Sequence, residues 1–141
     1  MRLVVLDTNV IVSAGIAVET APAALVMNWV LEGLVQLVTC PWIVAEYREV
    51  ARRAKFHRYG FPPFWLEFLI AESLHLPDPD PWFEREPHLQ IPDLKDMPFL
   101  ALAHAAGAWL VTGNLKHFPE SIRHGVNVLS PVEYLAHLSG D

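Results

Sequence analysis

Hydrophobic residues fall along this chain in short blocks broken by polar, glycine or proline positions. Residues 3–6 are wholly apolar and stop abruptly at Asp7, the mark of a strand buried on both faces. Asp7-Thr8-Asn9 reads as a turn or helix start, and the pattern continues into a short helix. Residues 22–32 predict a second helix, closed by Gly33. A second strand follows at 34–38, and Pro41 suits the first turn of a helix running to about residue 54. Residues 61–73 predict an aromatic-rich helix, and the proline-studded stretch 77–92 a loop or sheet edge. Residues 98–106 predict a helix capped by Gly107, with strands at 108–112 and 126–129. Ser130-Pro131-Val132-Glu133 then carries a cap, a first-turn proline and a Glu three residues after the cap, a strong helix start.

Strands alternating with helices at this spacing predict an α/β fold: a central parallel sheet of four to five strands with helices on both faces. In such sheets, sites form at the carboxyl ends of the strands. A length of 141 residues fits one domain spanning 1–141, and no internal repeat or low-complexity tract divides it.

Composition narrows the class. An apolar share of 52% against 18% charged residues, with mean hydropathy +0.26, excludes intrinsic disorder. A lone cysteine, Cys40, excludes a disulfide framework or a Cys-rich zinc module and reads as a buried structural thiol. Residues 97–115 carry no Asp, Glu, Lys or Arg, but Pro98, His104, Gly107, Gly113 and Asn114 interrupt them, so two short elements are expected rather than a membrane span. The first apolar run is far too short for a signal peptide, so the expectation is a soluble cytoplasmic protein. The net charge of −6 argues against a protein that coats nucleic acid electrostatically, though not against an enzyme holding cations in an acidic pocket.

Four polar positions stand out of pattern, and each has an ordinary structural explanation. Asp7 could be a helix N-cap, yet it sits directly on a fully apolar strand, where an unpaired carboxylate is costly. Glu46 shares a helical stripe with Ile43, Tyr47, Val50 and Ala54, and could be a salt-bridge partner of a nearby Arg or Lys. Asp96 could cap the helix that follows, with Pro98 in its first turn; Asp93 is better placed to support from behind. Thr112-Gly113-Asn114 could be an ordinary turn. Together they suggest more, because two lie at strand ends and two on helices expected to pack on the sheet. Three carboxylates in one cleft repel unless a cation is present. Mg²⁺ or Mn²⁺ suits oxygen ligands, and phosphodiester hydrolysis suits such a site.

The residues are also familiar as a set. Val4-Val5-Leu6-Asp7-Thr8-Asn9-Val10, with Ser13-Ala14, resembles the first motif of the PIN-domain family. Pro41-Trp42-Ile43-Val44-Ala45-Glu46-Tyr47 resembles the segment carrying its second acid. Asp96-Met97-Pro98-Phe99-Leu100-Ala101-Leu102-Ala103 resembles the third motif and Val111-Thr112-Gly113-Asn114-Leu115-Lys116-His117-Phe118 the fourth. The resemblance implies a metal-dependent ribonuclease, most like the toxin component of a toxin–antitoxin pair. It implies that Asp7, Glu46 and Asp96 form the acidic catalytic and metal site, that Asn114 and Thr112 complete it, and that Asn9 orients Asp7. Many members carry Asp where this chain has Asn114; an amide adds no charge, so a single tightly held ion is expected. The family also implies a homodimer and a small antitoxin partner seated in an apolar groove.

For RNA phosphates, the candidates are Arg48, Arg52, Arg53, Lys55 and Arg58 along the helix of Glu46, and Lys116, His117, Arg123 and His124 near Asn114. A solvated helix face explains the first group equally well. His117 reads as a surface residue. Phe61, Phe64, Trp65 and Phe68 read as core or subunit interface before base-stacking groups. The alternative function is a catalytically weak or inactive interaction module of the same fold. A phosphoacceptor receiver lacks its acidic pair here, and dinucleotide binding lacks a G-x-G-x-x-G after the first strand.

Overall fold

The computed structural model describes residues 2–16, 22–53, 63–80 and 94–140. The apolar run at the start of the chain becomes β1 (Arg2–Leu6), in which Val4, Val5 and Leu6 are fully buried. Apolar on both faces, β1 takes the centre of a five-stranded sheet. β2 (Val35–Thr39) pairs on one side and β4 (Trp109–Val111) on the other, with β3 (Leu74–His75) and β5 (Val128–Leu129) at the edges. Every pairing is parallel, in the order β3-β2-β1-β4-β5. The register sets Val4 beside both Leu37 and Trp109, and Leu6 beside Val111.

Parallel neighbours need crossovers, and helices supply them on both faces. They are α1 (Thr8–Ile16), α2 (Pro22–Leu31), α3 (Pro41–Ala51), α4 (Pro63–Glu72), α5 (Met97–Ala106) and α6 (Pro131–Gly140). α2 packs against α1, β2 and α6, while α5 packs against β1, β4 and α3. Gly107 ends α5 in the left-handed region (φ 64°), as its place after the last apolar residue predicts. The uncharged stretch 97–115 is therefore a helix and a strand, and among the described residues no helix is long and apolar enough to cross a membrane. α6 opens with the expected reciprocal cap: Ser130 Oγ accepts from Glu133 N–H and Glu133 Oε1 from Ser130 N–H, at 3.1 and 3.0 Å.

Three features depart from the pattern reading. β3 was not anticipated, because two exposed residues have no alternation to detect. It forms on tertiary pairing: Leu76 N–H donates to Thr39 O (2.9 Å), and Thr39 Oγ1 meets Ser73 Oγ (2.7 Å) and His75 Nδ1 (3.1 Å). α5 begins one residue earlier than expected and follows a 3₁₀ turn at Leu94–Asp96. Asp96 consequently has helical angles (φ −84°, ψ −15°) and its side chain makes no capping bond, so the capping explanation fails; a cap needs extended backbone. α4 places Phe64 and Phe68 outward, 88% and 55% exposed, with Leu66 and Leu69 as its core residues. Phe64 and Phe68 are therefore not core, Trp65 packs half-buried against the core, and Phe61 lies outside the described residues.

α3 is held onto this frame by aromatic contacts. Tyr47 donates its hydroxyl hydrogen to Leu6 O, and its ring lies 6.4 Å from Phe99 of α5. Trp42 meets the same ring edge-on at 5.9 Å. Cys40 precedes α3, fully buried, and burial pushes its thiol up to about 11. The thiol makes no capping bond, and Asp78, just past β3, does the work instead: its Oδ1 accepts from Trp42 N–H at 2.9 Å. Asp78→Ala should cost about 1 kcal/mol, seen as a melting temperature lower by a few degrees, whereas Asp78→Asn, which keeps an acceptor, should cost less.

Candidate active site

The strand order reverses direction about β1, with β2 and β3 to one side and β4 and β5 to the other. A crevice at the carboxyl ends of β1 and β4 is the consequence. Asp7 follows β1 there, its N–H donating to Val111 O (2.9 Å) and its carbonyl accepting from Val10 and Ile11 to start α1. The residue is 6% exposed. Thr112 Oγ1 donates to Asp7 Oδ2 at 2.8 Å, and Asn9 Nδ2 lies 3.5 Å from the same oxygen. Asp7 is thus more than a cap: it is a buried carboxylate with its own donors.

The segment after β4 is built around those contacts. Asn9 Oδ1 accepts from Gly113 N–H (3.0 Å), and a Cβ at Gly113 would stand only 3.3 Å from that oxygen. Glycine allows the close approach. Asn114 N–H donates back to Thr112 Oγ1 at 3.0 Å. A 3₁₀ turn at Leu115–His117, anchored by the fully buried Phe118, brings His117 over Asn114. The imidazole Nε2 lies 2.9 Å from Asn114 Nδ2, and Nδ1 lies 2.7 Å from Asp96 Oδ2. Asn9, Asp7, Thr112, Asn114, His117 and Asp96 therefore form one hydrogen-bonded chain across three distant segments. His117, which the sequence offers as a surface residue or an RNA-phosphate contact, instead lies between Asn114 and Asp96. Its signal was its place three residues after Asn114, just before a buried Phe.

Charge is strained in this crevice. Burial raises the Asp7 carboxyl to about 6, and repulsion from Asp96 adds to it; the hydrogen bonds from Thr112 and the Thr8 N–H, and the His117 ring when charged, pull the other way. The Thr8 hydroxyl nearby is buried and has no hydrogen-bond partner among the described residues.

Not every expected residue joins. Glu46 is half-buried beside, not within, the buried stripe of Ile43, Val44, Tyr47 and Val50. No described residue forms an ion pair or hydrogen bond with its carboxylate. Among the described residues, no three His, Cys, Asp or Glu side chains stand together as a metal-holding group. The donor chemistry nonetheless suits a hard divalent cation: the desolvated Asp7 carboxylate, the Asp96 carboxylate whose charge raises it, and the Asn114 amide. Of the basic residues, Arg48 is engaged by Glu67 in a bidentate pair (2.8 and 2.7 Å) between α3 and α4. Arg52, Arg53 and Lys116 are exposed, whereas Lys55, Arg58 and Asp93 lie outside the described residues.

A doubly wound α/β sheet with carboxylates at its switch point is a frame for acid-dependent chemistry. The model of the PIN domain family matches residues 3–116, and the chain belongs to that family. No curated protein sequence matches it. Among solved structures, VapBC2 from Rickettsia felis, bound to a DNA fragment from its promoter, aligns with a TM-score of 0.61 at 16% identity, over 92% of this chain and 98% of that one. FitAcB from Neisseria gonorrhoeae gives 0.59 at 19%, over 92% and 98%. FitAB bound to an IR36 DNA fragment gives 0.56 at 19%, over 91% and 94%. At these identities the likeness is one of fold.

A carboxyl raised from 3.8 to about 6 binds its proton more tightly folded than unfolded, so ionising it costs stability that grows as pH rises through that interval and then levels off. In metal-free protein, Asp7→Asn should therefore stabilise the fold near pH 7.5 by up to about 3 kcal/mol and do little near pH 4. Thermal melts in chelator at the two pH values check this.

Proposed function

We propose that this chain is a Mg²⁺- or Mn²⁺-dependent endoribonuclease and the toxin component of a toxin–antitoxin pair. The observation that carries the reading is the buried Asp7, raised to about 6 and repelled by Asp96, at the switch point of a PIN-family sheet. Asp7, Asp96 and the Asn114 amide would hold the cation, with Glu46 reaching in from α3. When bound, the ion supplies positive charge for the phosphate and a more acidic water for phosphodiester hydrolysis. Thr112 and Asn9 hold Asp7 in place, the first by a bond to Oδ2 and the second through its clasp on Gly113. Asp93 would support Asp96 from behind.

Arg52, Arg53, Lys55 and Lys116 would steer RNA phosphates; Arg48 would join them only on leaving Glu67. The complexes that share the fold, VapBC2, FitAB and FitAcB, support an antitoxin partner, and the exposed Phe64 and Phe68 offer apolar surface for a partner or a second copy. The cytoplasm is the proposed compartment. A non-catalytic interaction module is the second reading, favoured by the uncharged Asn114.

Incubation of RNA with the protein and Mn²⁺ should give cleavage that EDTA abolishes and that Asp7→Asn or Asp96→Asn lowers by about 100-fold or more. Cleavage indifferent to chelation would overturn the mechanism. Folded protein that binds Mn²⁺ yet cleaves no RNA would favour the interaction module.

A further inference from the structure

His117 is half-buried beside the proposed cation site. It touches two of the residues assigned to the cation, and the direction of its hydrogen bonds can be worked out. The Asn114 atom facing Nε2 is the amide nitrogen, 2.9 Å away, and an amide nitrogen only donates. Independently of that amide, Nδ1 faces Asp96 Oδ2 at 2.7 Å, and a carboxylate oxygen only accepts, so Nδ1 carries a proton and in the neutral ring Nε2 is left as the acceptor. With its nitrogen committed to the ring, Asn114 turns its carbonyl oxygen, the only atom of the amide able to ligate a cation, away from His117.

We propose that His117 is a positioning residue: through its Nδ1-protonated ring it selects which end of the Asn114 amide is available to a divalent cation and holds the Asp96 carboxylate in line. This rests on reading Asn114 and Asp96 as ligands. The two ends of an amide are almost the same shape, so packing alone does not choose between them. A directional partner does, and the rigid mounting of His117 makes it an effective one. Its N–H bonds Asn114 O at 3.1 Å, the next residue, Phe118, is fully buried, and the Phe118 carbonyl accepts from Arg123 Nε at 2.7 Å. The ring lies over Asp96, whose side chain is only 13% exposed. Asn114 and His117 are in this sense a matched pair. An Asp at position 114 has no hydrogen to offer Nε2, so the amide contributes a donor as well as lacking a charge.

The test compares two substitutions and one spectroscopic signature. His117→Gln keeps an acceptor for Asn114 and a donor for Asp96; His117→Phe keeps the ring and loses both. Mn²⁺ binding by calorimetry should be within about threefold of the parent for His117→Gln and weaker by about tenfold or more for His117→Phe. In the metal-free parent above about pH 8, imidazole ¹⁵N shifts, with the His117 signals assigned by their loss in His117→Gln, should show Nδ1 protonated and Nε2 bare. A His117→Phe variant binding Mn²⁺ as tightly as the parent, or a His117 ring protonated on Nε2, overturns the proposal. If the parent itself binds no Mn²⁺, the metal reading of the site fails, and the ¹⁵N signature still decides the bonding of His117. The same signature decides it if His117→Phe does not fold.

Discussion

Asp7 places a carboxylate at the end of the central strand of the sheet, and much of the surrounding structure answers that fact. Val4, Val5 and Leu6 exclude water from both faces of β1, so the next carboxylate inherits a dry setting that disfavours its ionised form. The Thr112 hydroxyl and the Thr8 N–H offset part of that cost. The rest stays in the fold as a raised proton affinity.

From that carboxylate the polar network spreads outward and sets the geometry of segments far apart in sequence. Thr112 bonds both Asp7 and Asn114; Asn9 clasps Gly113; His117 joins Asn114 to Asp96. Each link needs one particular donor or acceptor at one particular place, which is how a polar network specifies a single arrangement where apolar packing tolerates several. On the other side, α3 is positioned by apolar means. Phe99 receives the rings of Trp42 and Tyr47, and the Tyr47 hydroxyl reaches the Leu6 carbonyl just before Asp7. Glu46, one residue earlier, is thereby set at the margin of the buried stripe.

The legible parts of this chain were those governed by local rules. Four of the strands, the caps at Gly107 and Ser130, and the burial of Cys40 follow from runs of apolar residues and from backbone chemistry within a few positions. β3 was not legible, because two edge residues pair through a neighbouring strand rather than through their own pattern. The outward turn of Phe64 and Phe68 was hidden for a related reason: helical spacing shows that two residues share a face but not which way that face looks. Arg48 reads in sequence as an RNA-phosphate candidate or part of a solvated helix face, whereas α4 brings Glu67 against it.

The candidate site divides along the same line. By itself the sequence determined that Asp7 ends a buried strand, that Pro98 puts Asp96 at a helix mouth, and that Gly113 and Asn114 form the turn beyond a strand. Each of those rests on interactions among near neighbours. Only the tertiary structure decided that Asp96 comes near enough to raise the proton affinity of Asp7, that a histidine read as surface joins Asp96 to Asn114, and that Glu46 is half-buried beside the stripe of Ile43, Tyr47 and Val50. The physical reason is that hydrogen bonds and charges act over a few ångströms in space. The segments they join here are separated by most of the chain, and only sheet order and helix packing set those distances.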